Sequence, residues 1–469
     1  MQFEAVWGNT GLFDAVLVQS GTVRLVRAVR SALVGYMEIW EALMRRQILA
    51  CGLAVVLAAC SGTATVEGDQ AVPVSEPVTA PVEESLHDRL LVLDTHLDTP
   101  ALFHTPEYNF LQAGTWETDG THVDLPRMKE GGLDGGFWVI FTRQGPLTES
   151  AYQATRNQAL MRQTAIREFA AKYSDEVELA FKADDAARIA GEGKRVVYQS
   201  MENSYPLGED LSLLETFYIG GLRMIAPVHF ANNQFADSAT DIEPDFDGLS
   251  AAGEALVREA NRLGLVLDGS HASDATLRDM MALSTTPVIL SHTGVKGVFD
   301  HPRNIDDALL LELKANGGVI QMNIFGTYLE KLVPSDERSA AIAELDAEFG
   351  TDTSAMTEDE LKAWQEKRRQ IGKMYPAPRS TYEKFKEHLF HALEVVGPEH
   401  VGISGDWDGG GGVDGMSDIR FLPKITADLL EAGYTEADIE KIWSGNLLRL
   451  MRAAEAERTS KLSSPDVLN

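Results

Sequence analysis

From Leu90 onward the chain alternates between short apolar runs and longer stretches whose apolar residues recur at helical spacing. The runs are "LLVLDTH" (90–96), "GGFWVIF" (135–141), "RVVYQSME" (195–202), "LRMIAPVH" (222–229), "LGLVLDGSH" (263–271), "TPVILSH" (286–292), "GGVIQMN" (317–323) and "HVGISGD" (400–406). Several are continuously apolar, as strands buried on both faces of a parallel sheet must be. Between them, "LSAAGEALVREANRLG" (249–264) carries a helical period and ends in Gly. Eight such strands with intervening helices predict an α/β fold, a (β/α)8 TIM-type barrel, over residues 87–457. A doubly wound open sheet shares this pattern, although no dinucleotide-type glycine fingerprint opens a helix. Residues 330–385 are charged and helical, which predicts a helical insertion before the last strand, either a surface excursion or a lid or dimerisation element.

The start of the chain has a different character. From Met44, "MRRQILACGLAVVLAAC" sets two arginines before an apolar stretch and a small-residue site, the layout of a secretory signal over residues 44–59. The "LAAC" ending resembles a bacterial lipobox, which makes Cys60 the acylated first residue of the mature protein. Residues 1–43 would bury this signal and are read as an upstream extension, with Met44 the initiator. Residues 60–86, rich in Pro, Ser, Thr, Val and acids, form the expected tether, and 458–469 a C-terminal tail. The expected location is the bacterial cell envelope, lipid-anchored and facing the periplasm. The only cysteines are Cys51 and Cys60, so no disulfide framework holds the rest. A formal net charge of −30 argues against nucleic-acid partners and against direct contact with anionic headgroups, leaving the lipid as the one membrane contact.

Residues able to bind metal stand at the C-terminal ends of the runs, the end at which parallel α/β proteins build their sites. His96 and Asp98 close the first run, and their i, i+2 spacing places both on one strand face. Glu202 closes the third, His229 the fourth, His271 the fifth, His292 the sixth and Asp406 the eighth. Any one alone reads as a structural histidine or a solvated acid; the set reads as a site. Imidazoles and carboxylates are zinc ligands at hydrolytic centres. Three histidines and two carboxylates exceed one open zinc site but suit two metals sharing a carboxylate, which can polarise a carbonyl and generate a hydroxide nucleophile. "DWDGGGGVDGMS" (406–417) fails as a calcium loop, because Gly410 and Ser417 stand where ligands are needed, which leaves Asp408 either part of a glycine-rich turn or a site residue. Asp406 could pass a proton to a leaving amine. Arg303, after the sixth run, could clamp a substrate carboxylate or simply form a surface ion pair.

The ordered set "DTHLD", "GGFW", "SMEN", "GGLRMIAPVHFANN", "PVILSH", "RNIDD", "GGVIQMN", "GISGDWDG" and "GNLLRL" resembles the membrane (renal) dipeptidase family of zinc peptidases, among the amidohydrolase-type barrels, from Asp88 to Arg452. The resemblance implies two Zn2+ per chain, His96 and Asp98 holding one, His271 and His292 the other, and Glu202 bridging. It implies that His229 contacts the substrate carbonyl oxygen, Arg303 the terminal carboxylate, and that Asp406 is the general acid/base. It further implies a homodimer and dipeptide substrates, including those with a C-terminal D-residue, attacked by a metal-bridging hydroxide. "ENSYP" (202–206) replaces the family's common "EGGHS", which predicts an altered wall beside the metals. Two other functions share these features: an amidohydrolase for N-acyl amino acids, lactams or lactones, and a lipoprotein that binds peptides without cleaving them.

Overall fold

The structure, a computed structural model, describes residues 85–462 apart from 107, 242 and 351–355. The expected signal, Cys60 and nearly all of the tether lie outside the described residues. Nine strands form among those described: β1 (Leu93–Leu97), β2 (Gly135–Phe141), β3 (Val177–Leu179), β4 (Arg195–Glu202), β5 (Leu222–Ile225), β6 (Val266–Leu267), β7 (Ile289–Thr293), β8 (Val319–Asn323) and β9 (Val401–Ser404). Each of the eight apolar runs contains one of them. The exception, β3, spans three residues between charged neighbours and pairs beside β4. All ladders are parallel, in the order β1-β2-β4-β5-β6 for one sheet and β7-β8-β9 for the other. Isolated parallel bridges, Leu97 to Trp407 and Asp268 to Ile289, link the sheets at both edges, so the strand layer is strongly curled.

Side-chain alternation divides the core. Leu93, Phe137, Tyr198, Met224, Ile289 and Val319 pack with Leu447, Leu450 and Met451 of the last helix, Asn446–Leu462, which continues past residue 457. Their sequence neighbours Trp138, Val197, Ile225, Leu290 and Ile320 point the other way, into the larger core shared with the surrounding helices. Gly135 and Gly136, at φ +142° and +154°, sit where a Cβ would strike the backbones of Val196 and Asp94, so only glycine lets three strands meet there. The intervening helices begin with side-chain caps, for example Ser250 on Gly253, Ser273 on Thr276 and Asp306 on Leu309. Between β8 and β9 stand the helices Asp336–Phe349, Glu358–Met374 and Tyr382–Val396. The first two pack on each other and are largely exposed; the third buries Phe385, His388, Leu389 and Leu393.

Candidate metal centre

The strand ends deliver His96, Asp98, Glu202, His229, His271, His292 and Asp406 to one buried cluster. Glu202 is its centre. Its Oε2 lies 3.6 Å from His96 Nε2, while Oε1 faces His271 Nε2 at 3.0 Å, His292 Nε2 at 3.5 Å and His229 Nε2 at 3.7 Å. Asp98 Oδ2 lies 3.3 Å from His96 Nε2, and Asp406 joins the same two residues in a three-ligand group. His271 and Asp406 hold left-handed backbone, φ +68° and +53°, as does Asn203 after Glu202 at +70°. Non-glycine residues pay about 1–2 kcal/mol for that conformation.

Buried hydrogen bonds fix the ligands from behind. Ser291 Oγ donates to Asp268 Oδ2 (2.6 Å) and lies 2.8 Å from His292 Nδ1, and Asp268 also accepts from the Ser270 and Ser291 amides. Asp94 accepts from the His96 amide, Ser404 Oγ and the Gly405 amide, which ties β1 to β9 beneath the cluster. Burial pushes the Asp94 carboxyl up to about 6.

Electrostatics divide the group. Burial opposes ionisation of Glu202, yet His96 and His229 hold it well below the usual carboxylate range. Burial likewise opposes a charged His96, but Glu202 and Asp98 raise it well above its ordinary value. Burial lowers His271, with Arg303 adding to the effect, and it lowers His292, where His96 adds. Both are therefore neutral imidazoles, the form that ligates metal. Burial also lowers His229 and pushes Asp406 up to about 6.

The donors fit metal ions. Ligand atoms about 2.0–2.1 Å from a tetrahedral zinc lie roughly 3.3 Å apart, and the spacings around Glu202 run from 3.0 to 3.7 Å. His271 Nε2 and His292 Nε2 lie 2.9 Å apart. Three overlapping groups satisfy this convergence: His96, Glu202 and His292; Glu202, His229 and His271; His96, Asp98 and Asp406.

The cluster forms the floor of a cleft of about 640 Å³. Its walls include Phe141, Arg143, Gln144, Phe230, Phe325, Tyr328 and Asp408, of which Phe141, Arg143, Gln144 and Phe230 had no functional reading from the sequence. Asp408 is more than turn chemistry: it accepts from Thr99 Oγ1 (2.7 Å) and the His122 amide (2.6 Å), while its own amide donates to His122 Nδ1 (2.8 Å). Arg303 is buried, so it is not a surface ion-pair residue. Its Nη2 donates to the His292 carbonyl at 3.0 Å, its guanidinium lies 5.1 Å from the Tyr328 ring centre, and Nε has no partner among the described residues. The expected change of wall at "ENSYP" is not there: Asn203, Ser204, Tyr205 and Pro206 are buried and do not line the cleft. Asn233 Nδ2 holds Asn203 Oδ1 at 3.0 Å and the Tyr205 hydroxyl donates to the Pro146 carbonyl at 2.6 Å, which turns this segment into the scaffold.

A histidine and carboxylate cluster at the C-terminal ends of curled parallel strands, open to a cleft, defines a metal-dependent hydrolase. The chain belongs to the membrane dipeptidase family: the model for that family, peptidase family M19, matches residues 82–464. Dipeptidase tcpJ of Claviceps purpurea is 30% identical over 340 residues, 71% of this chain and 69% of its own. The probable dipeptidase PvdM of Pseudomonas aeruginosa superposes with a TM-score of 0.68 at 30% identity, covering 79% of this chain and 97% of that one. A further metallopeptidase structure, dipeptidase AC, gives 0.60 at 25% identity over 78% and 98%. The chain is a dipeptidase of the metallopeptidase kind, acting on small peptides.

Proposed function

We propose that the protein hydrolyses dipeptides, including those ending in a D-residue, with two zinc ions. His96 and Asp98 would hold one, His271 and His292 the other, with Glu202 shared between them. The observation that carries this reading is the division of Glu202, with Oε2 toward His96 and Oε1 toward His271 and His292. When bound, such ions supply Lewis-acid activation of the scissile carbonyl and of the attacking water.

The chain's own residues do the rest. Asp406, raised to about 6 by burial, is suited to take the proton that water loses and return it to the departing amine. His229, kept neutral by burial, would donate from its ring to the oxyanion. Arg303, whose Nε is unpaired, would hold the peptide's C-terminal carboxylate and so select dipeptides over longer chains. Phe141 and Phe230, packed against the His229 ring at 4.9 and 3.9 Å, would exclude water from that side.

The wider reading follows the same lines. The two edge bridges support closure of eight strands into a (β/α)8 barrel, with the helices of 336–374 as an insertion before the last strand. We place the protein at the bacterial envelope through an acylated Cys60, as a homodimer.

The test is zinc per chain on protein starting at residue 61, with hydrolysis of L,L and L,D dipeptides beside N-acetyl amino acids. About two zinc per chain with dipeptide turnover, both reduced in Asp98→Ala and His271→Ala, is the expected result. Two metals with turnover only of N-acyl substrates would overturn the substrate assignment, and failure to take up zinc would overturn the ligand set.

A further inference from the structure

The cleft contains a cation that this mechanism does not use. Arg143 lines it, is exposed, and has no hydrogen-bonding or ionic partner among the described residues. The acidic groups of the cleft are engaged elsewhere: Glu202 and Asp98 face histidines, Asp406 accepts from Asn323 Nδ2, and Asp408 is held by Thr99 and His122. A guanidinium facing a substrate cleft with its donors free is a preformed site for a carboxylate, which it can bind through two parallel hydrogen bonds.

Its position decides which carboxylate. Phe141, the last residue of β2, pairs with Glu202 in the ladder, so Arg143 lies two residues beyond the level of the bridging carboxylate, toward solvent. The next residue is anchored, since Gln144 Nε2 donates to the Asn232 carbonyl at 2.7 Å. Arg303 follows β7. In the strand sequence β1-β2-β4-β5-β6-β7-β8-β9, joined at its ends by the Leu97–Trp407 bridge, β7 is four strands from β2 in either direction. The two arginines therefore stand on opposite sides of the metal cluster. With the C-terminal carboxylate of a dipeptide on Arg303 and its peptide carbonyl over the metals, the amino-terminal residue lies on the Arg143 side.

We infer that Arg143 is a specificity-determining residue that recognises an acidic side chain, aspartate or glutamate, on the amino-terminal residue of the dipeptide. This rests on the orientation proposed above, with Arg303 at the C-terminal carboxylate.

The experiment compares Glu-Ala with Gln-Ala, and Ala-Glu with Ala-Gln, on zinc-loaded wild-type protein, Arg143→Gln and Arg143→Lys. The wild type should favour Glu-Ala over Gln-Ala about tenfold in kcat/KM, mainly through KM, as expected for a charge-assisted pair at a partly exposed site. Arg143→Gln should lower kcat/KM for Glu-Ala about tenfold more than for Gln-Ala, and Arg143→Lys should restore part of the difference. Equal use of Glu-Ala and Gln-Ala by an active wild type, or equal losses on both in Arg143→Gln, would overturn the inference alone. A preference for Ala-Glu over Ala-Gln would reverse the orientation and overturn it too. No hydrolysis of any of the four peptides would bring down the mechanism as well.

Discussion

Asp406 combines left-handed backbone, burial and a carboxyl pushed up to about 6, with one neutral hydrogen bond, from Asn323 Nδ2 at 3.3 Å. These features suit a group that exchanges a proton more than one that only binds an ion. Asp406→Asn is therefore expected to lower kcat by about 10²–10³, within the range of a lost general acid/base, while zinc per chain stays near the wild-type value. Steady-state kinetics and metal analysis of the same sample test this; loss of zinc together with activity would make Asp406 a ligand instead. The site residues were legible one by one because strand ends are easy to find in an apolar pattern. Arg143 was not, because its surroundings come from loops whose paths depend on contacts such as Gln144 with Asn232.

At the scale of the element, the helix Tyr382–Val396 is keyed against the curled strand layer by His388, which is fully buried. Its Nδ1 accepts from the Val295 amide at 3.2 Å, just beyond β7, and its Nε2 donates to the Leu329 carbonyl at 3.0 Å, which requires the neutral ring. Burial lowers its pKa to about 4. Unfolded histidine titrates near 6.5, so below that pH the unfolded chain binds the extra proton and stability falls until the folded ring also protonates near 4. Across that window the loss is on the order of 3 kcal/mol. Thermal or urea unfolding between pH 7 and 4 should show this decline, with a smaller slope in His388→Gln; an unchanged slope would remove His388 as its source. The partner of His388 was not readable from the sequence, since Val295 lies 93 residues away.

At the scale of the whole molecule, seven candidate ligand side chains from six strand ends share one buried volume. Ligands that bind only the folded state stabilise it by mass action. Chelation should therefore lower the unfolding temperature by several degrees, and zinc should restore it, while Asp98→Ala and His271→Ala proteins should respond less. Calorimetry with and without chelator checks this, and an unfolding temperature indifferent to chelation would argue against a structural share for the ions. The two helices Asp336–Phe349 and Glu358–Met374 bury little, so their loss should affect this response less than loss of any ligand.

The sequence by itself determined eight of the nine described strands, the parallel α/β class and the candidate ligand side chains that the fold brings together, because strands buried on both faces must be apolar and a polar residue at their end is conspicuous. It could not determine which walls enclose the cluster. Only the tertiary structure took "ENSYP" out of the cleft, buried Arg303 against His292 and Tyr328, and left Arg143 without a partner among the described residues, because each of these outcomes depends on which separate segments the fold brings together.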